Sequence, residues 1–160
     1  MSDAVQTLNV RQTAIETLVE VFSTMLSLEA KPNDDVVAPD WGERVTGCIG
    51  LAGETVTGTI YIHLPDTLAK QAAAAMLGMT VEELGSDSDV NDVVGELCNM
   101  VAGNLKSALC NAGSRCAISP PCVIRGKSFI IETSDEMRKE IICFECCDQK
   151  LVIEIQLKFV

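Results

Sequence analysis

Apolar residues recur at steps of three and four along residues 5–28. Leu8, Ile15, Leu18, Val19, Phe22, Met25 and Leu26 fall on one side of a helix. The spacing predicts one amphipathic helix across the segment. Between Lys31 and Gly42 the repeat stops. Two prolines and a cluster of charge predict a loop there, with a short extended piece at Val36-Val37. The period then changes to two. Residues 43–52 and 54–64 predict a β-hairpin across Ala52-Gly53-Glu54. In the second strand Val56, Ile60, Ile62 and Leu64 share one face, and Thr57, Thr59, Tyr61 and His63 share the other. The polar company of His63 predicts a solvated imidazole rather than a catalytic one.

Helical spacing returns after Pro65-Asp66 and runs to Gly78, a natural stop. Thr80 and Glu83 have capping-box spacing for a short helical turn. The cluster Ser86-Asp87-Ser88-Asp89 supplies N-cap candidates for a long helix that ends at about Asn111, before Ala112-Gly113. Short extended pieces follow at 115–118 and 121–126, separated by Pro120-Pro121. Two closing strands, at 139–147 and 150–159, join at Asp148-Gln149. In the last strand Ile153, Ile155, Leu157 and Phe159 face in, while Glu154, Gln156 and Lys158 face out. This order predicts an α+β fold, a largely antiparallel sheet flanked by helices rather than a doubly wound one. One domain is expected over residues 1–160.

On a helical projection of residues 90–109, Val90, Val94, Leu97, Val101, Leu105 and Ala108 form the inward face. Asp92, Glu96, Asn99, Gly103 and Lys106 lie opposite. Glu96 and Asn99 are three residues apart, so their side chains are neighbours. Gly103 costs the helix up to about 1 kcal/mol relative to Ala, and it leaves a flat place for another backbone. Face position alone reads as an ordinary solvated surface. Two details weigh against that: Asn is a poor helix-interior residue, and glycine occurs twice in the same stretch.

Composition narrows the function. Apolar residues make up 48% of the chain and aromatics 4%, so the core must come from Val, Ile, Leu, Ala, Met and Cys. A net charge of -11 argues against binding nucleic acid, which needs Lys and Arg to displace counterions. It also disfavours anionic membranes and favours a partner with a basic patch. Met1 to Gln6 carries Asp3 and no basic leader segment, and no apolar run approaches the ~20 residues of a membrane span. A cytoplasmic protein is expected. Of eight cysteines, Cys143 and Cys146 have C-x-x-C spacing, but alternation along a strand points them to opposite sides. Cys48, Cys98, Cys110, Cys116 and Cys122 follow no ligand spacing, and His63 is too distant to complete a signature. They read as small core residues in a reducing compartment, with no metal and no cofactor bound by this chain.

The run D-V-V-G-E-L-C-N-M-V-A-G-N-L-K-S, from Asp92 to Ser107, resembles the signature helix of the CheC/CheX/FliY phosphatases of bacterial chemotaxis. Asp92, Glu96 and Asn99 match its motif. The motif's proline falls one position early, at Pro121, with Cys122 where it is expected. The leading helix, the acidic loop, the V-T-G-T-I hairpin, the Ala-rich helix ending M-L-G and the closing strands resemble the CheX branch. So does the presence of one E-x-x-N per chain: in the first helix Glu20 is followed by Ser23, not Asn.

This resemblance implies a CheC-like fold that exposes one face of its signature helix. It also implies an activity, hydrolysis of the aspartyl phosphate of a CheY-like response regulator whose receiver domain holds its own Mg²⁺. Asn99 would position the attacking water, and Glu96 would pair with a lysine of the receiver. Asp92, Gly103 and Lys106 would border the docking face. Homodimerisation through sheet edges and the strand near residues 121–131 is implied as well. Three other readings compete: an inactive CheC-like module that docks a signalling or flagellar-switch partner, a metal or redox protein built on the cysteines, and a plain structural domain.

Overall fold

The protein is described by a computed structural model covering residues 3–34, 40–134 and 136–160. The extended piece expected at Val36-Val37 lies outside these described residues. At the N-terminus two helices replace the single expected one, α1 (Asp3–Thr7) and α2 (Val10–Val21). Asn9 separates them, because its side chain accepts from the Gln12 N–H at 2.9 Å and starts α2 afresh. The chain then widens into a π-turn, Phe22–Leu26, which ends at Ser27 in the left-handed region (φ 53). Each interruption shifts the phase of the apolar stripe. Val10, Ala14 and Thr17 are therefore buried, while Met25, expected in the core, is 49% exposed.

Seven strands form one sheet with every pairing antiparallel: β1 (Lys31–Asn33), β2 (Glu43–Gly53), β3 (Val56–Pro65), β4 (Cys116–Ile118), β5 (Cys122–Lys127), β6 (Arg138–Cys146) and β7 (Gln149–Phe159). Their order is β1-β6-β7-β3-β2-β4, and β5 shares the outer edge of β2 with β4. β1 lies in the segment expected to be loop. Its Pro32 has no N–H to give, which an edge strand tolerates. Ser119 bridges the break between β4 and β5. Its N–H donates to Gly50 O at 2.8 Å, and its hydroxyl accepts from Gly50 N at 2.9 Å. The β6–β7 turn sits on Cys147 and Asp148, both at positive φ (52 and 58), one residue earlier than expected.

α3 (Asp66–Leu77) ends on Gly78, whose φ of 68 is open to glycine at no steric cost. After a short 3-10 turn, Val81–Glu83, comes α4 (Asp87–Asn111). The Thr80 side chain caps no backbone N–H of this turn; its hydroxyl donates to Glu83 Oε1 at 3.2 Å, and its carbonyl accepts from the Glu83 N–H at 3.1 Å. The helices pack on one face of the sheet. Leu18, Phe22, Ile49, Ile60, Ile62, Leu64, Leu97, Leu105 and Phe144 are fully buried between the two layers. Among the described residues no helix is long and apolar enough to cross a membrane.

The opposite face of the sheet corrects one expectation. His63 is 3% exposed rather than solvated. Its Nδ1 is 2.8 Å from Thr46 Oγ1, and its Nε2 is 3.2 Å from Glu154 Oε2. Tyr61 stacks on the ring at 5.8 Å and Trp41 tilts over it at 6.0 Å. Polar residues do alternate onto this face, but they bond to one another beneath aromatic cover. The hydrogen bond with His63 holds the Glu154 carboxyl below the usual carboxylate range, against the upward push of burial. A carboxyl depressed in the folded state stabilises fully above its unfolded pKa, about 4.3. That contribution disappears as pH falls through the folded value. Urea midpoints measured from about pH 7 down to pH 3 should therefore fall less steeply for Glu154→Gln than for the native protein.

Candidate functional site

α4 places the candidate residues. It has 25 residues and, at about 1.5 Å per residue, is about 37 Å long. Its buried stripe is wider than expected. Val93, Cys98, Ala102 and Leu109 join Val90, Val94, Leu97, Val101 and Leu105, whereas Ala108, expected inward, is half-buried. The helix packs on β2 with one flank and against α2 and α3 with others, so more than one stripe is covered. Close approach to the sheet occurs at Gly47, where a side chain's Cβ would stand 3.0 Å from Cys98 Cβ. Asn104 ties the helix to α2 by donating to Thr17 Oγ1 at 3.2 Å.

The opposite stripe is open. Asp92, Glu96 and Asn99 are exposed, and Gly103 and Lys106 are half-buried. All five expected site residues therefore share one face of one rigid helix. Glu96 and Asn99 lie one turn apart, and among the described residues neither side chain is engaged in a hydrogen bond or ion pair. At Gly103 nothing lies within 4 Å of where a Cβ would sit, so the stretch there is flat and unobstructed. The cavities at Asp40–Phe129, Ala52–Cys116, Val19–Ala30 and Lys70–Val90 are lined by none of these five residues. Chemistry on such a convex face needs a partner that brings its own reacting group and encloses it.

Two contacts around the site are not visible in the sequence. Pro121 rests on α4 at Gly95, with its Cγ 3.5 Å from the position of a Cβ there. The proline that arrives one position early thus abuts the helix beside Glu96. Arg125, on β5, anchors the start of α4. It pairs with Asp66 and donates from Nη2 to Asn91 Oδ1 at 2.9 Å, next to Asp92. Burial pushes the Asp66 carboxyl up, but hydrogen bonds from Lys70 and Arg125 outweigh it and hold the group below the carboxylate range. The available signal was alternation: in β5, Arg125 shares a face with Val123, toward the helices.

Residues 45–145, well over half of the chain, match the model of a family described as chemotaxis phosphatase CheX. The chain belongs to this family. The CheY-P phosphatase CheX of Thermotoga maritima is 34% identical over 85 residues, which are 53% of this chain and 54% of that protein, so the match spans about half the relative's length. The crystal structure of the CheX chemotaxis protein from Vibrio vulnificus superposes with a TM-score of 0.80 at 30% identity, over 94% of this chain and 97% of that one. The CheX-CheY-BeF3-Mg²⁺ complex from Borrelia burgdorferi gives a TM-score of 0.73 over 94% and 98% of the two chains; at 22% identity it shows a shared fold.

In this CheX-family chain the cysteines follow the strand geometry. Cys146 lies in the core cluster on the helix side, and Cys143 alternates to the other face. The C-x-x-C spacing therefore does not converge. The open position of Gly103 carries a stability prediction. Gly103→Ala adds helix propensity without a clash, so its unfolding free energy should rise by up to about 1 kcal/mol in urea titration.

Proposed function

We propose that this chain is a phosphatase acting on the aspartyl phosphate of a CheY-like response regulator. The observation that carries this reading is the pair Glu96 and Asn99, unengaged and one turn apart on the exposed face of α4, beside the seat of Pro121. The relative from Thermotoga maritima is named for that activity, and the Borrelia burgdorferi structure joins the same fold to a CheY. Both support the reading.

An acyl phosphate is already reactive, and the receiver domain carries its own Mg²⁺. The phosphatase therefore has two tasks, to hold a water in line with the phosphorus–oxygen bond and to dock firmly. Asn99 performs the first. Its carboxamide both donates to and accepts from a water and does not ionise, in the manner of the water-orienting glutamine of GTPases. The water attacks phosphorus, and the receiver's aspartate leaves as a carboxylate. Glu96 performs the second task by pairing with a lysine beside the receiver's phosphate site. That pair sets the register in which Asn99 enters, and positioning supplies most of the rate. Gly103 admits the partner's backbone, and Asp92 and Lys106 border the contact. The net charge of -11 suits a partner presenting lysine.

Homodimerisation belongs to the same reading. Beyond the outer strand β5, Ile130 is 82% exposed. Light scattering should report a dimer that Ile130→Glu shifts toward monomer.

Phosphate release from a panel of phosphorylated receiver domains tests the activity. Asn99→Ala should lower stimulated release on the order of 10²-fold, as for loss of a transition-state donor. Glu96→Ala should chiefly raise KM. If Asn99→Ala works as fast as the native protein, the mechanism is wrong. If the native chain binds a phosphorylated receiver without accelerating release, it is a docking module instead.

A further inference from the structure

Two cysteines stand opposite each other on neighbouring strands. The β2–β5 register pairs Cys48 with Cys122. Val45, Gly47 and Ile49 face the helices, so Cys48 faces away; Val123 faces the helices, so Cys122 faces away too. Directly opposed antiparallel residues stand about 4.5–5.5 Å apart at Cα. That lies within the roughly 4.4–6.8 Å a disulfide spans. Cys122 is exposed and Cys48 is half-buried. Burial pushes the Cys48 thiol up, and the nearby Cys122 adds to the shift.

The remaining cysteines offer less. Cys98 and Cys143 are buried. Cys146 and Cys147 come within 3.8 Å, but they are adjacent on a tight turn, and a bridge between them would join no separate elements. Cys110 is turned toward the Cys116 carbonyl at 3.9 Å, and both are half-buried.

We infer that Cys48 and Cys122 are a reversible thiol–disulfide site, closed across the β2–β5 edge by an oxidant of the peroxide class. The exposed Cys122 thiolate attacks hydrogen peroxide; one peroxide oxygen bonds to sulfur, the O–O bond breaks, and the leaving hydroxide takes the thiol's proton as water. Cys48, shielded and held as thiol, then loses its proton as its sulfur attacks the Cys122 sulfenic acid. The S–O bond breaks, and the second hydroxide leaves with that proton as water. Two thiols and one peroxide give one disulfide and two waters. The bond closes at the residue after Pro121, so it clamps the segment that abuts α4 beside Glu96. A reducing dithiol reverses it.

The test uses the full chain, reduced, desalted, treated with stoichiometric hydrogen peroxide, alkylated and digested with trypsin. The expected product is a peptide pair about 2 Da lighter than the two free peptides. It joins residues 45–70, whose one cysteine is Cys48, to residues 116–125. Fragmentation should assign the bond to Cys122. Dithiothreitol should remove it, Cys122→Ser should abolish it, and Cys116→Ser should retain it. The inference is overturned if Cys48 stays fully alkylated after oxidation. It is overturned equally if Cys48 bridges to Cys116, if Cys122 bridges to a second copy, or if Cys122 proceeds to the sulfinic acid unbridged.

Discussion

The packing of α4 across β2 at Gly47 governs the rest of the molecule. With no side chain at that point, the helix comes down onto the sheet until Cys98 and Val94 meet the strand directly. Contact on further flanks with α2 and α3 leaves the helix no freedom to roll. One consequence is energetic: Val94, Leu97, Val101 and Leu105 leave water together. The other is geometric. Once those side chains point down, Asp92, Glu96 and Asn99 must point out, at heights set by a helix of fixed rise. The candidate site is therefore oriented by core packing, not by hydrogen bonds of its own.

That arrangement suits groups that must stay available. On the proposed reading, a glutamate and an asparagine engaged by internal partners would have to break those bonds to meet a receiver domain. Here the supporting polar contacts are displaced to the margins. Arg125 binds Asn91 and Asp66 below the start of the stripe, and Asn104 binds Thr17 on the flank. Pro121 braces the helix from the side of β5 and adds no competing donor, since proline has no N–H. The site's neighbours hold α4 still and leave its two central polar side chains unspent.

Much of this is legible in the sequence, and the parts that are not share a cause. Asp66–Leu77 and its stop at Gly78 follow from local chemistry, a helical repeat and a residue that tolerates φ of 68. β7 alternates from Ile153 to Phe159 because one of its faces packs on the helices, and α4 declares its open face because its polar residues lie at helical spacing. What escapes is tertiary. His63 sits on a face that is polar in composition yet closed by Trp41 and Tyr61, and no period reports cover supplied from elsewhere in the chain. β1 is too short to show a pattern and is a strand because β6 offers it an edge. The π-turn at Phe22–Leu26 moves Met25 outward by a phase slip that an ideal helix does not contain. Arg125 is visible as a charge in an apolar strand, but its partners come from three other elements.

Glu96 and Asn99 line none of the cavities at Asp40–Phe129, Ala52–Cys116, Val19–Ala30 and Lys70–Val90, which on the proposed reading follows from the substrate being half of the active site. An enzyme acting on a small, inert molecule must enclose it, because stabilising charge and excluding water are its own responsibility. A receiver domain that carries an activated phosphoryl group and its metal already supplies most of that machinery. What it lacks is a water held in line. A convex helix can enter such a partner where a pocket could not, and a neutral amide can order a water without adding charge near a phosphoryl group. On the proposed reading the flat run at Gly103 and the carboxylate at Glu96 serve the same end. They let the helix approach closely and in one register, so that Asn99 arrives at a single place.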